Sequence, residues 1–206
     1  MLQAVSLTCR RGQRRVFSEL SLRLDAGQCC LVSGPNGSGK TSLLRILANI
    51  TQADEGQLIW QDRPVHRNDS DYRQQVVYGG HAPGLNGSLS VQENLDSLLL
   101  QDGVALKQEA CDQALLSGGL LAYRRVPVRQ LSAGQRRRVF LVRLSLSNRP
   151  LWILDEQLTA LDSAGQKFLG ELIARHLEKQ GAVILTSHQT LPWKLDVQQL
   201  DLGRAC

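Results

Sequence analysis

The sequence predicts an α/β fold in which a parallel sheet presents a phosphate-binding loop, and three segments in fixed order carry that prediction. Residues 34–41 (G-P-N-G-S-G-K-T) fit the pattern G-x-x-x-x-G-K-[ST], whose glycines let backbone N–H groups approach an anionic nucleotide and cradle its phosphates. Residues 131–135 (L-S-A-G-Q) form a short polar strip leading into a helical pattern. Residues 151–156 (L-W-I-L-D-E) read as a buried strand that ends on two carboxylates. Alone, the first segment denotes only a nucleoside triphosphate.

Leu20, Leu22 and Leu24 alternate with Ser21 and Arg23, as a half-buried strand requires, and Ala26 and Gly27 turn the chain. Residues 28–33 (Q-C-C-L-V-S) are apolar on both faces, as in a central parallel strand, and deliver the phosphate loop at the strand's carboxyl end. A helix over 40–48 follows, then strands over 57–60 and 75–78, the second ended by Gly79 and Gly80. From 81 to 148 the pattern is helical, over 91–101, 107–116 and 133–147. That stretch is an inserted helical subdomain carrying the polar strip, so one domain over 1–206 divides into a nucleotide-binding core (1–80 and 149–206) and an insertion (81–148). Strands over 151–154 and 182–186 return, separated by a helix over 163–180 whose Phe168, Leu169, Leu172, Ile173 and Leu177 share one face. His176 lies beside that stripe and reads as structural.

Composition sets bounds. A chain of 206 residues with 42% hydrophobic and 21% charged residues is an ordinary soluble domain, with no apolar run near the ~18 residues of a membrane span. Its start lacks the apolar stretch of a signal peptide, so a cytoplasmic location is expected. The five cysteines (Cys9, Cys29, Cys30, Cys111, Cys206) include no C-x-x-C, and reduced, inert thiols are expected. Cys29 and Cys30 should point to opposite faces of their strand. The net charge of +5 gathers in Arg10, Arg11, Arg14, Arg15 and in Arg136, Arg137, Arg138, which raises a nucleic-acid surface as a possibility. Aromatic content of 4% gives no base-stacking platform, so no nucleic-acid partner is expected and both clusters read as solvated faces, the first on a hairpin turn at Gly12.

The chemistry of phosphoryl transfer assigns roles. Gly34, Pro35, Asn36, Gly37, Ser38 and Gly39 would wrap the phosphates of ATP, and Lys40 would reach the outer ones. Thr41 supplies a hydroxyl to Mg²⁺, at the start of a helix whose positive end faces the same anion. Asp155 is placed to hold the Mg²⁺ shell, and one Asp with one Thr suffices because Mg²⁺ keeps several waters. Glu156 is the candidate general base that orients the attacking water.

The strip L-S-A-G-Q closely resembles the L-S-G-G-Q signature of the ATP-binding cassette (ABC) ATPases, and with the other two segments the resemblance covers nearly the whole chain. It implies a P-loop cassette with a RecA-like core, an antiparallel β-subdomain and the helical insertion. It also implies that Ser132, Ala133, Gly134 and Gln135 contact the nucleotide held by a second copy, in a head-to-tail dimer with two ATP molecules between the cassettes. Asp162, in Ala160-Leu161-Asp162, is similar to the loop linking the two sites, and His188 to the switch histidine that contacts the γ-phosphate. His81 stands where most cassettes carry their Mg²⁺-sensing glutamine.

Finer matches point to a subfamily. Residues 78–85 (Y-G-G-H-A-P-G-L), Ala133, Trp152, residues 186–189 (T-S-H-Q) and the stretch from Cys9 resemble the cytochrome c maturation ATPases, known as CcmA or haem exporter ATP-binding proteins. The resemblance implies an energy-coupling ATPase peripheral to the cytoplasmic side of the inner membrane, with a multi-spanning, CcmB-like partner. Such complexes serve c-type cytochrome assembly by haem export or by release of a haem-loaded chaperone. With no C-x-x-C-H and one methionine, the chain is not expected to hold haem itself. The alternative is the ATPase of another ABC exporter, of lipid, lipoprotein or drug. Two departures from the family stand out: no aromatic lies near residues 10–12 to stack on adenine, leaving the Arg11 guanidinium for that role. Gln157 replaces the proline that generally follows the catalytic glutamate, which would loosen that turn.

Overall fold

The computed structural model describes residues 1–159, 161–188 and 190–203. Ala160, Gln189 and Cys206, named above, lie outside the described residues.

Two sheets form the frame. Strands β1 (Leu2–Arg11), β2 (Arg14–Leu24), β4 (Glu55–Trp60) and β5 (Arg63–Pro64) make an antiparallel sheet in the order β2-β1-β4-β5. Strands β3 (Cys29–Ser33), β6 (Val76–Gly79), β7 (Leu151–Leu154), β8 (Ala182–Thr186) and β9 (Val197–Asp201) make a parallel sheet in the order β6-β7-β8-β3-β9. Uninterrupted apolar runs explain why β7 and β8, buried at every position, sit in the interior of that order.

The helices are α1 (Lys40–Leu47), the short α2 (Ser70–Arg73), α3 (Val91–Gln101), α4 (Gln108–Ser117), α5 (Ala133–Leu146) and α6 (Ser163–Glu178). Between β6 and β7, the described residues hold helices and turns, with a single isolated bridge joining Ser90 and Pro127. Ser90 starts α3 with a capping box to Glu93, and Ser132 starts α5 with the same device to Gln135. The far ends of α3 and α5 are joined at Asp102, whose buried carboxylate receives Arg143 at 2.8 Å and Arg149 at 2.9 Å. Helix α6 stops at Glu178, two residues short of the expected 180, because Gln180 takes φ +63° and turns the chain into β8.

The parallel sheet separates two apolar cores. Cys29, Val77, Trp152, Val183 and Leu185 face α3 to α6, whereas Cys30, Val76, Ile153 and Ile184 face α1 and the antiparallel sheet. Adjacent Cys29 and Cys30 thus point to opposite faces, and burial pushes both thiols up to about 12, which keeps them unreactive near neutrality. Each large side chain so buried contributes ~1.5–3 kcal/mol against exposure, so the sheet that carries the phosphate loop is held from both sides.

Candidate nucleotide site

The site lies at the carboxyl ends of β3, β7 and β8. β3 runs into residues 34–39, where Gly34, Gly37 and Gly39 take φ of +142°, +79° and +101°, values that side-chain-bearing residues rarely adopt. A Cβ on Gly39 would fall 2.3 Å from Val16 Cγ1, so the antiparallel sheet closes on the loop there. Helix α1 begins at Lys40 with no side-chain cap and no acidic residue in its first turn, leaving its amides to an anion. The loop wraps the Lys40 ammonium, which donates to the carbonyls of Gly34 (2.8 Å) and Pro35 (3.1 Å).

A chain of hydroxyls and carboxylates faces that loop. Asp155, 1% exposed, accepts from Thr41 Oγ1 on one oxygen and from Thr186 Oγ1 on the other, both at 2.8 Å. The Glu156 N–H donates to the same Thr186 hydroxyl at 2.9 Å. Glu156 adopts φ +53°, a strained value for a non-glycine residue, and its side chain is 18% exposed. Its Oε1 lies 2.7 Å from His188 Nε2, and Oε2 lies 3.9 Å from Nε2 of His81, whose side chain is 67% exposed. The structure therefore brings Lys40, Thr41, Asp155, Glu156, His81 and His188 together. A cleft of about 310 Å³ opens between Asn36, Lys40, Thr41, Glu156 and the hairpin residues Arg11, Arg14 and Val16.

The donor set suits a hard cation. Thr41 and Asp155 offer only oxygen, and no cluster of three or more His, Cys, Asp or Glu that could cage a metal exists among the described residues. Mg²⁺ fits such a site because it needs few protein ligands beside phosphate and water.

The signature strip does not join this cleft. Ser132, Gly134 and Gln135 line a separate hollow of about 420 Å³ with Gly119, Tyr123, Arg138 and Asp162. Ala133 is the first residue of α5 beside them. Asp162 caps α6 by accepting from Gly165 N at 2.9 Å and pairs with Arg138, and these two contacts hold its carboxyl below the usual range.

Three expectations from sequence need correction. Arg137 is not on a solvated face: it is 7% exposed and its Nη1 donates to the carbonyls of Gly80 (3.2 Å) and His81 (3.1 Å). Arg138 is occupied by Asp162. Arg11 and Arg14, by contrast, are exposed as read; they line the nucleotide cleft, with Arg11 Nη2 3.3 Å from Ser42 Oγ. Gln157 does not loosen its turn but is buried and bonded to three carbonyls there. Thr186 gets no site role from the sequence, although a hydroxyl that ends a buried apolar strand beside the Asp155 strand is the available signal. His176 is structural as read: its ring stacks on Trp152 at 3.8 Å and its Nε2 donates to Pro150 O at 3.1 Å.

Known proteins share the sequence and the fold of this chain. The family described as ABC transporter matches residues 17–159. The cytochrome c biogenesis ATP-binding export protein CcmA of Yersinia pestis is 48% identical over 193 residues, 93% of this chain and 87% of that protein. The proteins of that name from Pseudomonas aeruginosa (45% identical; 94% and 96% covered) and Escherichia coli K12 (44%; 93% and 90%) are similar to the same extent. Among solved structures, an ABC transporter ATP-binding protein of Pyrococcus furiosus superposes with a TM-score of 0.85 at 24% identity, over 99% of this chain and 98% of that one. A dimeric ATP-binding cassette bound to ADP and Pi gives 0.81 at 21%, over 98% and 95%. The chain belongs to the ATP-binding subunits of ABC transporters and, among them, to the CcmA family.

Proposed function

We propose that this chain hydrolyses ATP as the energy-coupling subunit of an ABC membrane complex in c-type cytochrome biogenesis, peripheral to the cytoplasmic side of the inner membrane. The observation that supports it best is the hydroxyl–carboxylate chain Thr41–Asp155–Thr186–Glu156–His188 facing the phosphate loop. Among the described residues no helix is long and apolar enough to cross a membrane, so a multi-spanning, CcmB-like subunit would supply that part.

In this reading the backbone of residues 34–39 and the α1 amides bind the β- and γ-phosphates, and Lys40 shifts from its loop carbonyls to the phosphate oxygens. Thr41 and Asp155 would hold Mg²⁺, which when bound would supply neutralisation of phosphate charge. Glu156 accepts the proton of the attacking water, a role supported by its place directly after Asp155 and in the lining of the cleft beside the phosphate loop. His188 fixes one carboxylate oxygen and offers its ring to the γ-phosphate, and His81 approaches the other oxygen. Arg11 lies against the base, with Val16 beside it.

The separation of the two hollows supports a task in a dimer for the strip of Ser132, Ala133, Gly134 and Gln135. A second copy would place its strip over this chain's phosphate loop, with Asp162 at the contact. Residues 81–148 would then move as a helical subdomain against the core of 1–80 and 149–206. Residues 81–88 and the start of α3 would receive a cytoplasmic loop of the membrane subunit.

The test is purification of the full chain from membranes with its associated subunit, followed by identification of that subunit. A multi-spanning protein encoded for cytochrome c assembly, raising the ATPase rate of the chain, is the expected result. A permease for lipid, lipoprotein or drug would replace this reading with the alternative exporter.

A further inference from the structure

Behind the carboxylate of Glu156, two side chains that touch no reacting group tie four segments together. Gln157, 2% exposed, folds its amide under the turn, and Nε2 faces the carbonyls of Gly79 (2.9 Å), Gly80 (3.0 Å) and Asp155 (3.0 Å). Arg137 arrives from α5, and its Nη1 faces Gly80 O, His81 O and Gln157 Oε1 at 3.2, 3.1 and 3.2 Å. Gly79 O also accepts the Asp155 N–H at 2.7 Å. The end of β6, the loop bearing His81, the turn at Glu156 and the helix that opens with the signature strip therefore meet at two planar groups.

Two features make this more than packing. Each donor nitrogen brings two hydrogens to three acceptors, so the bonds are shared and can redistribute when one segment shifts by a fraction of an ångström. The space is also full: a Cβ on Gly79 would fall 2.5 Å from Phe140 Cζ of α5 and 3.2 Å from Gln157 Nε2. A shift of α5 cannot be absorbed locally. The turn it would disturb holds Glu156 at φ +53°, a conformation that persists only where neighbours impose it. Where the resembling ATPases carry proline after the glutamate, this chain has a side chain that bonds across the turn.

We propose that Gln157 and Arg137 act as a paired positioning device that aims Glu156 and His81 and makes their placement depend on the position of the signature helix. The inference rests on Glu156 being the general base. The guanidinium also faces the charges of Asp155 and Glu156, so the same link carries a fixed positive charge behind both carboxylates.

The test uses the full chain with Gln157→Ala, Arg137→Ala, the double variant and Arg137→Lys. It reads kcat and KM for Mg-ATP, affinity for a fluorescent ATP analogue, and amide exchange in peptides covering 78–82 and 154–158. Each alanine variant should lower kcat roughly tenfold, with KM and analogue affinity within about twofold, since one such link is a single tenfold step. The double variant should fall no further than the worse single one, because residues acting as a unit are not additive. Arg137→Lys should recover part of the rate. Exchange should rise in the two peptides alone.

An unchanged kcat in Gln157→Ala overturns the proposal, as do losses that multiply in the double variant or exchange that rises across the whole chain. A Glu156→Gln control that hydrolyses at the parental rate overturns the base assignment alone. The exchange readout then decides the link: faster exchange at both peptides in Arg137→Ala upholds it, and unchanged exchange overturns it.

Discussion

The two ends of strand β7 carry similar residue types in opposite circumstances. At its carboxyl end, Glu156 lines the cleft beside the phosphate loop and meets the rings of His188 and His81, the latter largely exposed. At its amino end, Trp152 stacks on His176, which is bonded to a backbone carbonyl and pushed down to about 4 mainly by burial. A histidine beside a buried strand acquires chemistry only where strand ends open onto helix N-termini and a ligand crevice. At the other end it is a packing element. The contrast predicts that variants at the carboxyl end change rate and binding with little effect on stability, and that variants at the amino end do the reverse.

The largest effect should come from Lys40→Ala. The ammonium already sits inside its loop, and removing it leaves the outer phosphates to backbone dipoles alone. Loss of about 3 kcal/mol, the upper range for a charged hydrogen bond, corresponds to more than a hundredfold weaker ATP binding. Titration with a fluorescent ATP analogue measures it, and undiminished affinity would remove the phosphate-loop assignment.

Glu156→Gln should come next. The amide keeps the shape of the side chain but cannot take a proton, so ATP still binds while hydrolysis slows by about a hundredfold, the lower end of a general base's contribution. The ATP-bound dimer should then accumulate. Light scattering that shows only monomers at saturating Mg-ATP would break the proposed sandwich, and with it the reason for a signature strip lying outside the cleft.

How much of this was legible in the chain depended on what each residue's partner was. β7 and β8 were readable to the residue because unbroken apolar runs between polar ends have one interpretation in a parallel sheet. β9 was not read: its sequence, V-Q-Q-L-D, lies at the sheet edge with two exposed glutamines and follows no clean alternation. Asp155 and Glu156 were readable because local sequence places them at a strand end. Arg137 and Gln157 were not, because their meaning lies in the carbonyls of Gly79, Gly80 and His81, 56 to 78 positions away, which no local pattern encodes.

A smaller effect is expected at His81. Its backbone carbonyl is held by Arg137 while its ring stands mostly in solvent, 3.9 Å from Glu156 Oε2. His81→Ala should slow hydrolysis only a few-fold, in line with a solvated contact, and His81→Gln, which restores a neutral acceptor, should recover most of the loss. Steady-state ATPase assays separate this from a docking role. Equal rates for the three forms would confine His81 to the partner surface.

The smallest effect belongs to the amino end and concerns stability alone. The His176 Nε2 faces a carbonyl, which can only accept, so the ring is neutral with its proton on that nitrogen. Burial holds its folded-state value near 4, below the ordinary 6.5. Between those values the unfolded chain binds a proton that the folded chain refuses, so the contribution is fully present above about pH 6.5 and is lost as pH falls towards 4. Discounted for the part of the ring that solvent reaches, the loss between pH 8 and pH 5 is about 1 kcal/mol. His176→Phe should keep the stack on Trp152 and lose the titration, and Pro150 O stays bonded through the Ala182 N–H at 2.8 Å. A larger ring meets Gly181, which lies against His176, so the variant's stability can drop at every pH. The slope decides the matter: urea midpoints of the parent should fall from pH 8 to pH 5 by more than those of His176→Phe. Parallel slopes would mean that this histidine is not buried in the neutral form, and the contrast between the two ends of β7 would lose its electrostatic half.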